Sequence, residues 1–352
     1  MNSVPHNIYI HVPFCMSRCN YCAFFSQACA SPDWEKYCAD ICGELTHWGN
    51  ILGRIAVPTV FFGGGTPSLM PVWCFDRIMN TIRAKFELDA NAEITLESNP
   101  GTLTEQKLHD FISAGITRLS VGVQSLDDNR LRFLGRRHSV TDALALLDAA
   151  HASNIRVSAD FIYGLPNDTL EDVVQLCHGI NRLGLSHCSM YELTIEPDTP
   201  FGKMNLSMPD NDTMAQMYVA IGDTLLLPRY EVSNYATPGN ECRHNQNIWD
   251  GAPYIGIGTG GAGRVYINDT WYEQSGAGAM FEPMTDDARA VELILTGLRT
   301  LQGCLLTDGV KKVIDMDWIG SHPDLVQIQG NRISATPSGM LILDDVTLNL
   351  VK

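Results

Sequence analysis

Two apolar rhythms alternate along roughly the first two thirds of the chain. Segments 8–12, 57–62, 93–97, 118–122, 156–161 and 187–193 read as short strands. Between them, 33–48, 72–86, 104–114, 140–153 and 170–183 space their apolar residues as a helix with one buried face does. Ser31 followed by Pro32 offers a helix start, and Thr102 to Thr104 precedes another helical run. Six βα units predict an α/β fold in which a parallel sheet carries its helices outside. Periodicity leaves open whether that sheet stays flat or curls into a partial barrel, but in either case ligands collect at the carboxyl ends of the strands.

Beyond residue 230 the rhythm changes. Glycine, asparagine and aromatic residues dominate 230–235, 243–249 and 256–263, which predicts an irregular connecting segment over 231–283. A helical stretch at 286–301 and a hairpin or wing at 332–350 predict a small appended α+β domain, winged-helix-like, over 284–352. The larger unit then spans 1–230.

Composition narrows the function classes. With 352 residues, 45% of them hydrophobic, the chain can bury a large core. Its apolar runs stop short of the ~20 residues a bilayer span needs. A net charge of -16 repels phosphate backbones and disfavours a nucleic-acid partner. The one dense basic cluster, Arg130, Arg132, Arg136 and Arg137, reads as a solvated helix face or as a counter-charge for carboxylates on a small ligand.

The chemistry gathers at the predicted strand ends. Cys15, Cys19 and Cys22 follow the first strand at C-x3-C-x2-C spacing. Three thiolates hold three irons of a 4Fe-4S cluster and leave the fourth open to a small molecule, whereas structural zinc wants a fourth ligand from a second knuckle, and none follows. Of the eleven cysteines, Cys38, Cys42, Cys74, Cys177, Cys188 and Cys304 read as small buried hydrophobes, while Cys29 and Cys242 fit either role. An odd count without a pairing pattern, in a chain with no secretory signal, fits a reducing, cytoplasmic compartment.

Gly63, Gly64, Gly65 and Thr66 follow the second strand and let backbone N-H groups approach a ligand; neither a P-loop nor a dinucleotide fingerprint is present. Glu97, Gln124, Arg136 and Asp160 stand at later strand ends or just beyond. Each also has an ordinary structural reading, as a cap, an ion-pair partner or an acceptor for buried donors. His244, in a glycine-rich stretch near Trp249, fits either an axial haem ligand or a hydrogen-bonding loop residue.

Five ordered motifs, the cysteine triplet, the Gly63 to Pro67 run, 121–125, 160–166 and 230–235, together resemble radical S-adenosylmethionine (SAM) proteins of the oxygen-independent coproporphyrinogen III oxidase group. The resemblance covers essentially the whole chain. It implies a partial (β/α)6 barrel, a SAM-chelated 4Fe-4S cluster on Cys15, Cys19 and Cys22, and SAM contacts from Tyr9, Tyr21, Gly64, Gly65, Thr66, Glu97, Gln124, Arg136 and Asp160. Oxidases of the group carry a further cysteine where this chain has Phe24, and an extension before the first strand, which here begins by residue 8. Both differences point to the haem-chaperone branch. There the resemblance implies haem or porphyrin as ligand, a haem-acceptor protein as partner and a flavodoxin or ferredoxin as electron donor. The alternative is coproporphyrinogen III oxidase activity. The stretch from His244 to Trp249 is similar to that branch's haem motif, with Ile248 in place of its tyrosine. Ala23, where relatives usually have Asp, and the run from Gly258 to Gly261 are two further departures.

Overall fold

The computed structural model describes residues 4–275 and 281–352; residues 1–3 and 276–280, the latter inside the expected connecting segment, lie outside the described residues. Strands and helices alternate as β1 (Asn7–Val12), α1 (Trp34–Leu52), β2 (Ala56–Gly64), α2 (Val72–Lys85), β3 (Glu87–Ser98) and α3 (Glu105–Ala114). They continue as β4 (Arg118–Gln124), α4 (Val140–Ala152), β5 (Arg156–Tyr163), α5 (Leu170–Arg182) and β6 (His187–Glu192). The start of α1 differs from expectation: Asp33, not Ser31, caps it, accepting from the Lys36 amide at 2.9 Å. Thr104 caps α3 as its position predicts. A short helix, Asp128–Phe133, which the apolar pattern does not announce, precedes α4.

Strands β1 to β6 pair in parallel in sequence order. Successive side chains of a strand point to opposite faces. One set, including Ile8, Ile10, Val60, Phe62, Ile94, Leu96, Leu119, Val121 and Val157, packs under the helices in the main core. The other set is polar and faces the concave side, as Ser120 on Asp160, Ser158 on His187 and Ser189 on Asn234 show by their hydrogen bonds. A sheet buried on one face by helices and lined on the other by hydroxyls, carboxylates and guanidinium groups is built to enclose a polar ligand.

The segment 231–283 corrects the irregular expectation. After α6 (Asn211–Thr224), β7 (Asn234–Ala236) pairs antiparallel with β6. Then α7 (Arg243–Trp249) leads to β8 (Tyr254–Ile257), which lies parallel to β1 on the opposite edge. Antiparallel strands β9 (Gly263–Ile267), β10 (Thr270–Gln274) and β11 (Phe281–Pro283) extend that edge of what is an eleven-stranded sheet among the described residues. Backbone pairing and the side-chain amide of Gln274 on the Gly256 backbone hold these strands, so they need little apolar alternation.

After α8 (Asp286–Gly297), β12 (Cys304–Leu305), β13 (Val326–Gln329) and β14 (Arg332–Ala335) form a separate small sheet. Its core includes Ile294, Leu298, Val310, Ile314, Ile333 and Leu350. The expected hairpin over 332–350 is only half met, because Pro337–Leu341 and Leu343–Leu350 are helical. Glu231, fully buried, accepts from Arg299 at 2.5 Å and joins this part to the large sheet.

Candidate functional site

A cavity of about 420 Å³ opens at the carboxyl ends of the parallel strands. Its walls run from the loop after β1 to Tyr191 and Glu192 at the end of β6, which requires the sheet to curl. The size lies within the usual range for small-ligand sites.

The loop carrying the three cysteines is pinned at both ends. Phe14 and Cys15 pair with Gln27 and Ala28, while the Phe14 and Val12 carbonyls accept from the Thr66 and Gly65 amides, both at 2.8 Å. Its middle is tied to the turn before Arg136, where the Asn20 amide donates to the Leu134 carbonyl at 3.0 Å. Only glycine fits at position 65, since a Cβ there would stand 2.7 Å from the Phe14 oxygen and 3.0 Å from Cys15 Sγ.

Cys15, Cys19 and Cys22 all line the cavity. Among the described residues no three His, Cys, Asp or Glu side chains gather at single-ion distance. Three thiols around one opening fit a 4Fe-4S group that keeps one iron open.

Tyr21, Gly64, Gly65, Thr66, Glu97, Gln124, Arg136 and Asp160 line the same cavity. Glu97 accepts from the Gly64 amide at 3.1 Å, and burial next to Asp160 pushes its carboxyl up to about 8. Burial raises Asp160 as well, against the hydrogen bond from Ser120 and the charge of Arg118. Two half-buried carboxyls held above their usual range form a site that gains from a cationic group on the ligand. Gln124 sits at a bulge between β4 and β5 with φ 69°, the left-handed region, so that its side chain turns into the cavity at the end of β4. Arg136 donates to the Gly122 carbonyl at 2.9 Å and to Cys19 Sγ at 3.4 Å.

Two expected residues stand elsewhere. Tyr9 is not among the residues lining the cavity; it stacks on Phe61 with its hydroxyl 3.1 Å from His11 Nδ1. His244 belongs to helix α7 rather than to a loop and is 2% exposed, at the amino ends of the strands. Its ring stacks on Phe61 at 5.0 Å, and its Nδ1 is 2.6 Å from Thr59 Oγ1. Thr59 donates its one hydroxyl proton to Asn7 Oδ1, so His244 Nδ1 is the donor and its buried Nε2 carries a lone pair without a partner. Burial and the charge of Arg118 hold this imidazole neutral, near 3. As placed, it is closed to any ligand the size of a porphyrin. Phe24, by contrast, is 70% exposed at the cavity mouth.

The sequence reading puts 97–100 and Tyr191 with Glu192 at strand ends that offer polar groups to one face, without assigning Asn99, Tyr191 or Glu192 a contact, and passes over Ser120; all four line the cavity. Period-two spacing from Glu97 and Asp160 through the strand register finds Ser120 and Tyr191; nothing local marks Asn99.

Comparisons with known proteins agree with this geometry. The profile of the Radical SAM superfamily matches residues 9–179. The chain is 36% identical over 271 residues to "Heme chaperone HemW" of Escherichia coli (strain K12), covering 75% of this chain and 71% of that protein. Against "Heme chaperone HemW" of Mycobacterium tuberculosis (strain ATCC 25618 / H37Rv) the identity is 32%, over 100% of this chain and 96% of the relative. Coproporphyrinogen III oxidase (HemN) from Escherichia coli, a radical SAM enzyme, shares the fold with a TM-score of 0.82 at 19% identity, over 99% of this chain and 90% of that one. Membership of the superfamily implies a 4Fe-4S cluster and SAM, and the convergence of three thiols with a polar cavity at the strand ends fits both. The chain belongs to the HemW family of radical SAM proteins.

Proposed function

We propose that this protein is a haem chaperone, which binds haem and hands it to an acceptor protein while carrying a SAM-bound 4Fe-4S cluster. The observation that carries the reading is the likeness to relatives named as haem chaperones, which extends across the full chain in one of them. Phe24 supports it against the oxidase alternative, because an oxidase of the group has a cysteine at that place. In this reading Cys15, Cys19 and Cys22 hold the cluster, Gly64, Gly65 and Thr66 receive the methionine part of SAM, and Glu97, Gln124, Arg136 and Asp160 complete its polar contacts. The raised carboxyl of Glu97 would ionise against the SAM ammonium group. Cluster and SAM bound together supply one-electron chemistry, with a flavodoxin or ferredoxin as the source of the electron. Unpaired thiols throughout the described residues fit the cytoplasm as the place of work.

His244 serves as part of the floor in this conformation; ligation of haem through it requires α7 to leave the sheet. Haem titrated into the cluster-loaded protein tests the function. A saturable Soret band that moves to an apo-haemoprotein on mixing supports the chaperone. No saturable band, or protoporphyrinogen formed from coproporphyrinogen III under dithionite with SAM, overturns it.

A further inference from the structure

Cys15 and Cys19, four residues apart in one loop, are linked a second time through three side chains from elsewhere in the chain, Arg136, Asn99 and Thr66. Arg136 donates to Cys19 Sγ at 3.4 Å and, through its other terminal nitrogen, to Asn99 Oδ1. Asn99 Nδ2 donates to Thr66 Oγ1 at 3.0 Å, and Thr66 Oγ1 donates to Cys15 Sγ at 3.6 Å. Arginine has no acceptor, so Asn99 must present its oxygen to Arg136 and its nitrogen to Thr66. A hydroxyl that accepts from Asn99 Nδ2 then has its single proton left for the sulfur. The amide thus sets the direction of both sulfur-directed donors.

The backbone around Asn99 is shaped for this arrangement. A Cβ on Gly122 would stand 2.9 Å from Asn99 Oδ1 and 3.2 Å from the Arg136 terminal nitrogen, so glycine on β4 clears the space in which the two meet. Arg136 is fixed from the far side by the Gly122 carbonyl at 2.9 Å. Two elements, the turn after Asp128–Phe133 and the glycine run after β2, therefore converge on Asn99 at the end of β3.

We propose that Asn99 is a positioning residue for the cluster: it orients Thr66 and Arg136 as hydrogen-bond donors to the Cys15 and Cys19 sulfurs and so raises the reduction potential of the cluster they hold. Hydrogen bonds to ligating sulfurs stabilise the reduced, more negative state of an iron-sulfur cluster. This rests on the reading of Cys15, Cys19 and Cys22 as cluster ligands. Thr66 and Arg136 also face the SAM cavity, so the potential must be read without SAM to isolate the effect.

The test is a potentiometric titration of the reconstituted, SAM-free protein, followed by EPR, with iron and sulfide counted in each sample. Wild type is compared with Asn99→Ala, Asn99→Asp, Thr66→Val and the double variant Thr66→Val/Asn99→Ala. All three single variants move the midpoint to more negative potential, Asn99→Asp furthest, because its carboxylate adds charge and takes the Thr66 proton away from Cys15. In the double variant the shift falls short of the sum of the two single shifts, since part of the Asn99 effect passes through Thr66. Midpoints of Asn99→Ala and Asn99→Asp equal to wild type at full iron content overturn the proposal, as does a fully additive double variant. The isosteric Asn99→Asp keeps the Arg136 pair and decides the matter where Asn99→Ala assembles poorly. A wild-type protein that takes up no cluster refutes the cysteine reading instead, a distinguishable result.

Discussion

His244 stacks on Phe61 of β2, ring centroids 5.0 Å apart, on the amino-terminal side of the glycine run whose Gly65 abuts Cys15. Five residue steps along the strand lead from Thr59, its hydrogen-bond partner, to Gly64, a distance of roughly 16 Å. The concave face of the sheet therefore has a sealed polar floor and an open polar mouth.

Replacing His244 by Ala removes the ring from Phe61 and the donor from Thr59. The expected cost is about 2–3 kcal/mol in denaturant unfolding, with haem binding retained. Unchanged stability combined with loss of the Soret band would return His244 to the role of haem ligand.

Glu93 anchors the same floor. Its buried carboxylate accepts from Arg156 at 2.9 Å and from the His244 and Arg243 amides at 2.9 and 3.2 Å, holding the start of α7. Glu93→Ala leaves Arg156 and two amide donors without their acceptor and should cost about 3–5 kcal/mol, read as a lowered unfolding midpoint. A loss below 1 kcal/mol would show that the floor holds without this carboxylate.

Glu97 gives the ligand-free protein a pH signature. Its folded value, about 8, lies above the ordinary 4.5, so the folded state binds the extra proton more tightly than the unfolded state does. The stability it contributes is complete below the unfolded value and is lost as pH rises through the folded one. Between pH 5 and 8 wild type should lose melting temperature relative to Glu97→Gln, most steeply midway between the two values and levelling off as pH passes the folded one. Parallel Tm curves for the two proteins would count against the raised carboxyl.

Gly65→Ala drives a Cβ against the Phe14 carbonyl and Cys15 Sγ. The protein should fold with about 1–3 kcal/mol of strain, yet take up less iron than wild type on reconstitution, because the Cys15 thiol is displaced. Iron content equal to wild type would mean that the cysteine loop adapts freely.

Much of this architecture is legible along the chain, for a reason visible in β3 and β4. Each strand keeps one apolar row, Ile94 and Leu96 or Leu119 and Val121, under a helix, and the intervening Glu93, Glu97, Arg118 and Ser120 mark the concave face. That alternation, together with the following helical period, places Glu97 and Asp160 at one end before any contact is known. Helix α7 escapes the same reading because it is short and polar, and its start depends on Glu93, about 150 residues away in sequence. Residues 343–350 alternate valine, threonine and leucine in a way that suits a strand, but packing of Val346 and Leu350 into the small core selects a helix. Asn99 has no local signature, since its role exists only once Arg136 and Thr66 meet on either side of it.

EPR of the reduced, reconstituted protein recorded with and without SAM tests the central claim most directly. The account predicts a 4Fe-4S signal that depends on Cys15, Cys19 and Cys22 together and changes shape when SAM is added, the change being weakened in Asp160→Ala. A cluster signal indifferent to SAM, or a protein that retains its full cluster after Cys19→Ala, would contradict the assignment of this cavity.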